Sequence, residues 1–331
     1  MIDRRLTLVV AFALGVLFTS LAVEAQQTGK VFRIGVLSIA GPTSPSPPPP
    51  ANWEAFVQGL RELGYIEDRN IVFEQRYADG RSELFPHLAA DLVRLRADVI
   101  FARGPSAVAA ARKATSTIPI VGVDLESDPV AAGFVASLAR PGGNITGMFL
   151  DLAVLSGKHL ELLKEVVGKF SHVAAIGDLA VNAAQVEAMK TAARSVGVQV
   201  QFLDVRDRDF DRAFKAATQE RAAALIVLGS PLTLAYRSQI ADQAAKHRLP
   251  AMYLYRGHVD AGGFMSYGPD LPDMFRRSGA YVGRILGGVR PTELPVERPT
   301  KFELSINMRV AKALHLTIPP SVLLRADNVI E

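Results

Sequence analysis

After residue 30 the chain alternates between short β-branched runs and longer segments whose apolar positions recur every three or four residues. Residues 31–38 (VFRIGVLS) have the apolar character of a buried strand. Trp53, Phe56, Val57, Leu60 and Leu63 share one helical face, and Asn52 is placed to cap that helix. Residues 71–77 alternate as a strand does. Ser82 then opens a helix with Leu84, Phe85, Leu88, Leu92 and Leu95 directed inward. Residues 98–102 (DVIFA) and 118–123 (IPIVGV) are further strands on either side of the alanine-rich segment 106–114. Strand and helix alternating at this spacing predict a parallel sheet covered on both faces, with right-handed crossovers.

The segment 140–147 (RPGGNITG) interrupts the rhythm, because Pro141, Gly142 and Gly143 do not suit a helix interior. Beyond this boundary the alternation restarts. Strands are expected at 173–176, 198–205, 224–228 and 251–255, with helices at 183–195, 210–220 and 234–247. A strand at 263–267 meets a second breaker, Gly268-Pro269-Asp270, which a helix over 274–286 follows. Pro291, Pro295 and Pro299 mark an extended return to a last strand at 302–306 and a short helix at 308–314. Two α/β lobes with three irregular junctions predict paired domains hinged around a cleft.

The N-terminus has a different character. Arg4 and Arg5 precede an apolar run from Leu8 to Phe18, and Val23-Glu24-Ala25 resembles a signal-peptidase site. The run is shorter than the ~20 residues a spanning helix needs. Export with cleavage after Ala25 is therefore the expectation, leaving a soluble periplasmic protein. Residues 41–51 hold six prolines directly after the first strand. Such a loop is either a semi-rigid rim of the cleft or a solvated insertion, and the insertion is preferred.

Composition narrows the function. The 331 residues are 49% hydrophobic and 21% charged, which suits two globular cores and excludes a disordered chain. A net charge of +4, with no basic cluster, argues against nucleic-acid binding. With no cysteine, thiolate metal sites, cysteine nucleophiles and disulfides are excluded. The six histidines have no metal-binding i, i+4 spacing. No glycine-rich dinucleotide motif follows the first strand, and Gly157-Lys158-His159 is not a phosphate loop. Ser106, in Gly104-Pro105-Ser106-Ala107-Val108, lacks the second glycine of a nucleophile elbow. No acid/base pair assembles, so neither an enzyme nor a cofactor is expected.

Several stretches carry a resemblance. They include Gln58-Gly59-Leu60-Arg61-Glu62-Leu63-Gly64-Tyr65, then Asp128-Pro129-Val130 and residues 136–147 (ASLARPGGNITG). Later come Ala261-Gly262-Gly263, Ser266-Tyr267-Gly268-Pro269-Asp270, residues 299–304 (PTKFEL) and 313–321 (ALHLTIPPS). In these stretches, residues 31–331 resemble the substrate-binding proteins of ABC transporters, in the branch that includes tryptophan- and phenylalanine-type components. The resemblance implies an α/β type I periplasmic binding protein: two Rossmann-like lobes with parallel sheets joined by three crossovers. Lobe 1 would be 31–147 plus 269–299, and lobe 2 would be 148–268 plus 300–331.

The family's cleft is formed by loops after strands, and here those loops depart from the common pattern. The usual Gly-Thr-Pro becomes Gly104-Pro105-Ser106, keeping a hydroxyl at a helix start, where free N–H groups suit a carboxylate. Asp178-Leu179-Ala180-Val181-Asn182 replaces Asn-Pro-Ala-Asn-Pro, and Ser230 stands where an aspartate often precedes the proline. Arg256 falls where the family has arginine, and Tyr267 lies beside the second breaker. Ser38 and Asp124 add polar groups at other strand ends. The expected ligand-binding set is thus Ser38, Gly104, Ser106, Asp124, Asp178, Ser230, Arg256 and Tyr267. Mixed charge in this set suits a zwitterion such as an amino acid. The leading expectation is an importer's solute receptor, serving a membrane permease and its ATPase subunits. A sensor of the same fold and a secreted α/β enzyme are the alternatives.

Overall fold

The computed structural model describes residues 30–41, 50–124, 126, 128–149 and 152–331. The expected leader, most of the proline-rich loop and the side chain of Asp124 lie outside the described residues. The first sheet is parallel throughout and runs in the order β2-β1-β3-β4-β5. Its strands are β1 (Phe32–Ser38), β2 (Ile71–Tyr77), β3 (Val99–Arg103), β4 (Ile120–Asp124) and β5 (Ile145–Phe149). Helices α1 (Pro50–Arg61), α2 (Phe85–Arg94) and α3 (Pro105–Ala114) connect the first four.

The chain then enters a second lobe through α4 (Ser156–Val167). There follow β6 (His172–Gly177), α5 (Ala183–Ser195), β7 (Gln199–Asp204), α6 (Phe210–Gln219) and β8 (Leu225–Val227). Next are α7 (Pro231–Ala235), α8 (Arg237–Lys246), β9 (Ala251–Tyr253), α9 (Arg256–Asp260) and β10 (Met265–Pro269). At Asp270 the chain returns to the first lobe as α10 (Leu271–Leu286), which packs along α1. It re-enters the second sheet as β11 (Phe302–Asn307) and finishes in β12 (Asn328–Ile330). The second sheet has the order β12-β11-β10-β9-β8-β6-β7. Its pairings are parallel except β10–β11, which is antiparallel because the excursion into the first lobe reverses the direction of return.

Two close backbone approaches explain parts of the motifs noted in the sequence. Gly59 and Gly279 bring α1 and α10 together: a side chain on Gly59 would run into the Arg276 carbonyl, and one on Gly279 into that of Phe56. Glycine is required at both for steric reasons, whatever its cost to helix propensity. The return segment is pinned to the first lobe by Thr146, whose hydroxyl donates to Leu294 O at 2.7 Å, and by Glu297 N donating to Gly147 O. Tyr281 Oη also donates to Glu297 Oε1 at 2.8 Å.

Some local expectations differ from the structure. The 140–147 boundary ends at residue 144, and Ile145–Phe149 is a strand with all five residues buried. Gly147 permits this, because its φ of 137° and the Gly122 backbone beside it leave no room for a side chain. Asn52 is no cap. The helix begins at Pro50, whose fixed φ suits a first turn, so Asn52 lies inside and is buried. The helix expected over 234–247 is divided at Tyr236 into α7 and α8. Among the described residues no helix is long and apolar enough to cross a membrane.

Candidate functional site

The carboxyl ends of both sheets' parallel strands face one another, as ligand crevices in open α/β sheets do. A cavity of about 270 Å³ lies between them. The first lobe supplies Ile39 after β1, Gly80 to Glu83 and Phe85 after β2, and Arg103 to Ser106 at the end of β3. The second supplies Asp178 and Val181 after β6, Arg206 and Arg208 after β7, and Ser230 to Leu232 after β8. A smaller space of about 50 Å³ adjoins it, and Ile39, Arg103, Gly104 and Pro231 border both. Its walls are mainly apolar, with Val123, Leu234, Leu271 and Phe275, but Glu126 and Tyr255 also face it.

The lobes touch. Gly104 is so near Pro231 that an added Cβ would lie 2.6 Å from the ring Cγ. Tyr255 Oη, from the second lobe, donates to Glu126 Oε1 at 3.2 Å, beyond β4 of the first. Leu234 and Tyr255 share an apolar cluster with Val123, Leu271 and Phe275. The cleft is therefore described in a closed form.

Local chemistry fixes the second lobe's contribution. Ser230 Oγ accepts from Thr233 N at 3.1 Å in a capping box at the start of α7. Gly229 is clamped from α5: Asn182 Nδ2 and Gln185 Nε2 donate to its carbonyl at 2.8 and 3.2 Å. Asp178 Oδ1 accepts from Ala180 N and Val181 N, each at 3.1 Å, and lies 3.9 Å from Arg206 Nε. His258 is buried below these loops, its Nδ1 3.3 Å from Tyr255 O and its Nε2 3.2 Å from Thr233 O. Burial pulls its pKa down to about 4, so at neutral pH it is uncharged and donates to one of the two carbonyls.

Arg103 is the residue the sequence argument missed. It is the last residue of β3, and its guanidinium carbon lies 4.8 Å from the centroid of the Phe275 ring. Among the described residues its side chain has no hydrogen bond or ion pair. Burial draws its pKa down to about 10, against the opposing influence of the Tyr77 and Tyr255 phenols. It remains a cation at neutral pH. The signal lay in the sequence, as a charge closing an otherwise apolar strand at a ligand-facing end.

The expected site residues divide. Gly104, Ser106, Asp178 and Ser230 come together around the larger cavity, and Ser38 borders the smaller, its hydroxyl donating to Ala40 O. Arg256 and Tyr267 line neither cavity. At the start of α9, Arg256 turns its guanidinium to the β11–β12 edge, donating to Asn328 Oδ1 at 2.8 Å and facing Glu303 and Asp260. Tyr267 lies in the middle of β10, with its ring stacked on Phe302 and its carbonyl accepting from His159 Nε2 at 2.7 Å. Among the described residues no group of acidic and histidine side chains could hold a metal.

Two α/β lobes meeting around a cavity lined by loops of both are the architecture of a binding protein for a small solute. The chain belongs to the ABC transporter substrate binding protein family, whose profile matches residues 50–330. This is a family of binding proteins, not enzymes, and its members act outside the cytoplasmic membrane. A tyrosine-binding protein of Clostridioides difficile (strain R20291) is 26% identical over 278 residues, 83% of this chain and 78% of that one. A conserved domain protein from Vibrio cholerae O1 biovar El Tor superposes with a TM-score of 0.82 at 26% identity, covering 91% of this chain and 100% of the other. An ABC domain from Streptococcus pneumonia in complex with L-Trp gives 0.81 at 24% identity, covering 90% and 99%.

Proposed function

We propose that this protein captures an amino acid, of the class with large aromatic side chains, and delivers it to a membrane permease driven by ATPase subunits. The observation that carries the reading is the cavity between the two lobes, lined by loops from both and adjoining an apolar space at Phe275. The names of two relatives, one tyrosine-binding and one holding L-Trp, point to the same ligand class. Binding requires no covalent step, since a solute that contacts both lobes favours the closed state over the open one.

The moving bodies follow the expected division, with its bounds at 147 and 269 shifted to 149 and 270 because β5 and β10 each belong whole to one sheet: the first sheet with α1–α3 and α10, and the second sheet with its own helices. Export to the periplasm with cleavage after Ala25 completes the reading, and N-terminal sequencing should begin at Gln26. The test of function is mass spectrometry of ligand retained through native purification, followed by calorimetry with the amino acid found. Small-angle scattering should show compaction on adding it to emptied protein. Turnover of the bound molecule, or identical scattering profiles at saturation, would refute a closing receptor.

A further inference from the structure

The charges around the larger cavity are unequal in number and in how they are satisfied. Arg81, Arg103, Arg206 and Arg208 face it against Glu83 and Asp178. Asp178 already accepts two backbone N–H groups and lies near Arg206, and Glu83 is exposed at the rim. Glu126, in the adjoining space, accepts from Tyr255. Of the cations, Arg206 is engaged by Asp204 at 2.7 Å, Arg208 reaches Tyr236 Oη at 3.5 Å, and Arg81 is exposed at the rim, where water serves it. Arg103 has neither kind of partner among the described residues, yet it borders both spaces. Its guanidinium carbon lies over the Phe275 ring, and no described group accepts from its N–H donors, whose fork suits a planar acceptor.

We infer that Arg103 receives the solute's carboxylate as a paired, fork-shaped contact, and that the site requires this carboxylate while an ammonium group is dispensable. The inference deepens the reading of the cleft as an amino-acid site and takes its probes from it. It also links charge to closure. Shutting the empty cleft strips water from a cation that has no partner among the described residues, which is costly, whereas shutting it on a carboxylate replaces that water with a charge-assisted pair. Ser106, at the start of α3, borders the same space as Arg103.

The experiment is calorimetry on the emptied full-length protein. The probes are L-tyrosine and L-tryptophan, their decarboxylated amines tyramine and tryptamine, and their deaminated acids 3-(4-hydroxyphenyl)propionate and indole-3-propionate. Benzoate and aliphatic amino acids extend the panel. The amines should show no binding, and the deaminated acids should bind within about tenfold of the amino acids, roughly 1.4 kcal/mol. Arg103→Met should weaken every carboxylate by at least about thirtyfold, with Arg103→Lys intermediate. Thermal unfolding of ligand-free Arg103→Met should be no lower than that of the unaltered protein, because a desolvated charge with no partner among the described residues is removed; a purely structural arginine would lower it. Arg103-dependent binding of benzoate or an aliphatic acid alone would sustain the inference and refute the aromatic amino-acid reading. Equal binding of amines and acids, unchanged affinity in Arg103→Met, or no bound carboxylate anywhere in the panel would overturn it.

Discussion

Replacing Gly104 by alanine separates the stability of the lobes from their closure. Gly104 has φ 88° and ψ 162°, a conformation essentially reserved for glycine. Holding a residue with a side chain there costs about 1–3 kcal/mol, in the open and closed forms alike. A second penalty arises only on closing. The new Cβ would lie 2.6 Å from Pro231 Cγ, against a comfortable carbon–carbon separation of about 3.5–4.0 Å. The obstacle is a rigid ring on the other lobe, so roughly an ångström of retreat falls on the cleft. Overpacking of this kind costs about 1–3 kcal/mol. Ligand affinity should therefore fall by roughly five- to two-hundredfold beyond any loss of stability. Thermal unfolding of the empty variant reads the first effect, and calorimetry with the natively retained ligand reads the second. Wild-type affinity in a destabilised variant would show that Gly104 and Pro231 do not meet in the bound form. Wild-type values of both would refute the backbone argument as well.

Gly59→Ala should lower stability by about 1–3 kcal/mol in denaturant titration, because α1 and α10 would have to part to admit the methyl group. Arg256→Ala should leave ligand affinity unchanged in calorimetry and cost about 1 kcal/mol of stability or less, since Arg256 is itself exposed, its pair with Asp260 is exposed, and half-buried Glu303 keeps the Asn328 amide as a donor. Acid should destabilise the fold below pH 6.5. Burial pulls the pKa of His159 and of His258 down to about 4, so between those values the unfolded chain binds protons that the folded one refuses. Stability should be full above pH 6.5 and decline towards pH 4, by up to about 3 kcal/mol per histidine, with a shallower slope in His258→Asn.

The strands and most helices were legible because buried parallel strands and amphipathic helices leave simple periodicities. β5 was not, because Pro141, Gly142 and Gly143 precede it closely and Gly147 lies within it. Those glycines report on backbone geometry, and only the partner Gly122 shows which geometry is required. The expected residues that border the cavities are those that close or follow strands: Ser38 at the end of β1, and Gly104, Ser106, Asp178 and Ser230 in the segments after β3, β6 and β8. Arg256 also follows a strand, but β9 ends at Tyr253 and a further turn carries the arginine to the β11–β12 edge. Arg103 went unnoticed because it stands between the expected strand 98–102 and the Gly104-Pro105-Ser106 loop, where an arginine looks like an end effect. Its importance depends on the absence of a partner among the described residues, and no linear pattern records that.

The meeting of α1 with α10 has a consequence for the order of synthesis. Residues 50–61 and 271–286 are separated by some two-thirds of the chain, yet their backbones are in contact through Gly59 and Gly279. A chain emerging from its N-terminus cannot cover that face of the first sheet until residue 286 is available. The strands on either side of the excursion, β10 and β11, cannot pair until α10 has been placed or passed over. Each lobe thus waits on the other, and long-range contacts of this kind slow folding and extend the period in which apolar surface is exposed. A fragment ending at Pro269 would retain every strand of the first sheet and still lack the helix that shields α1.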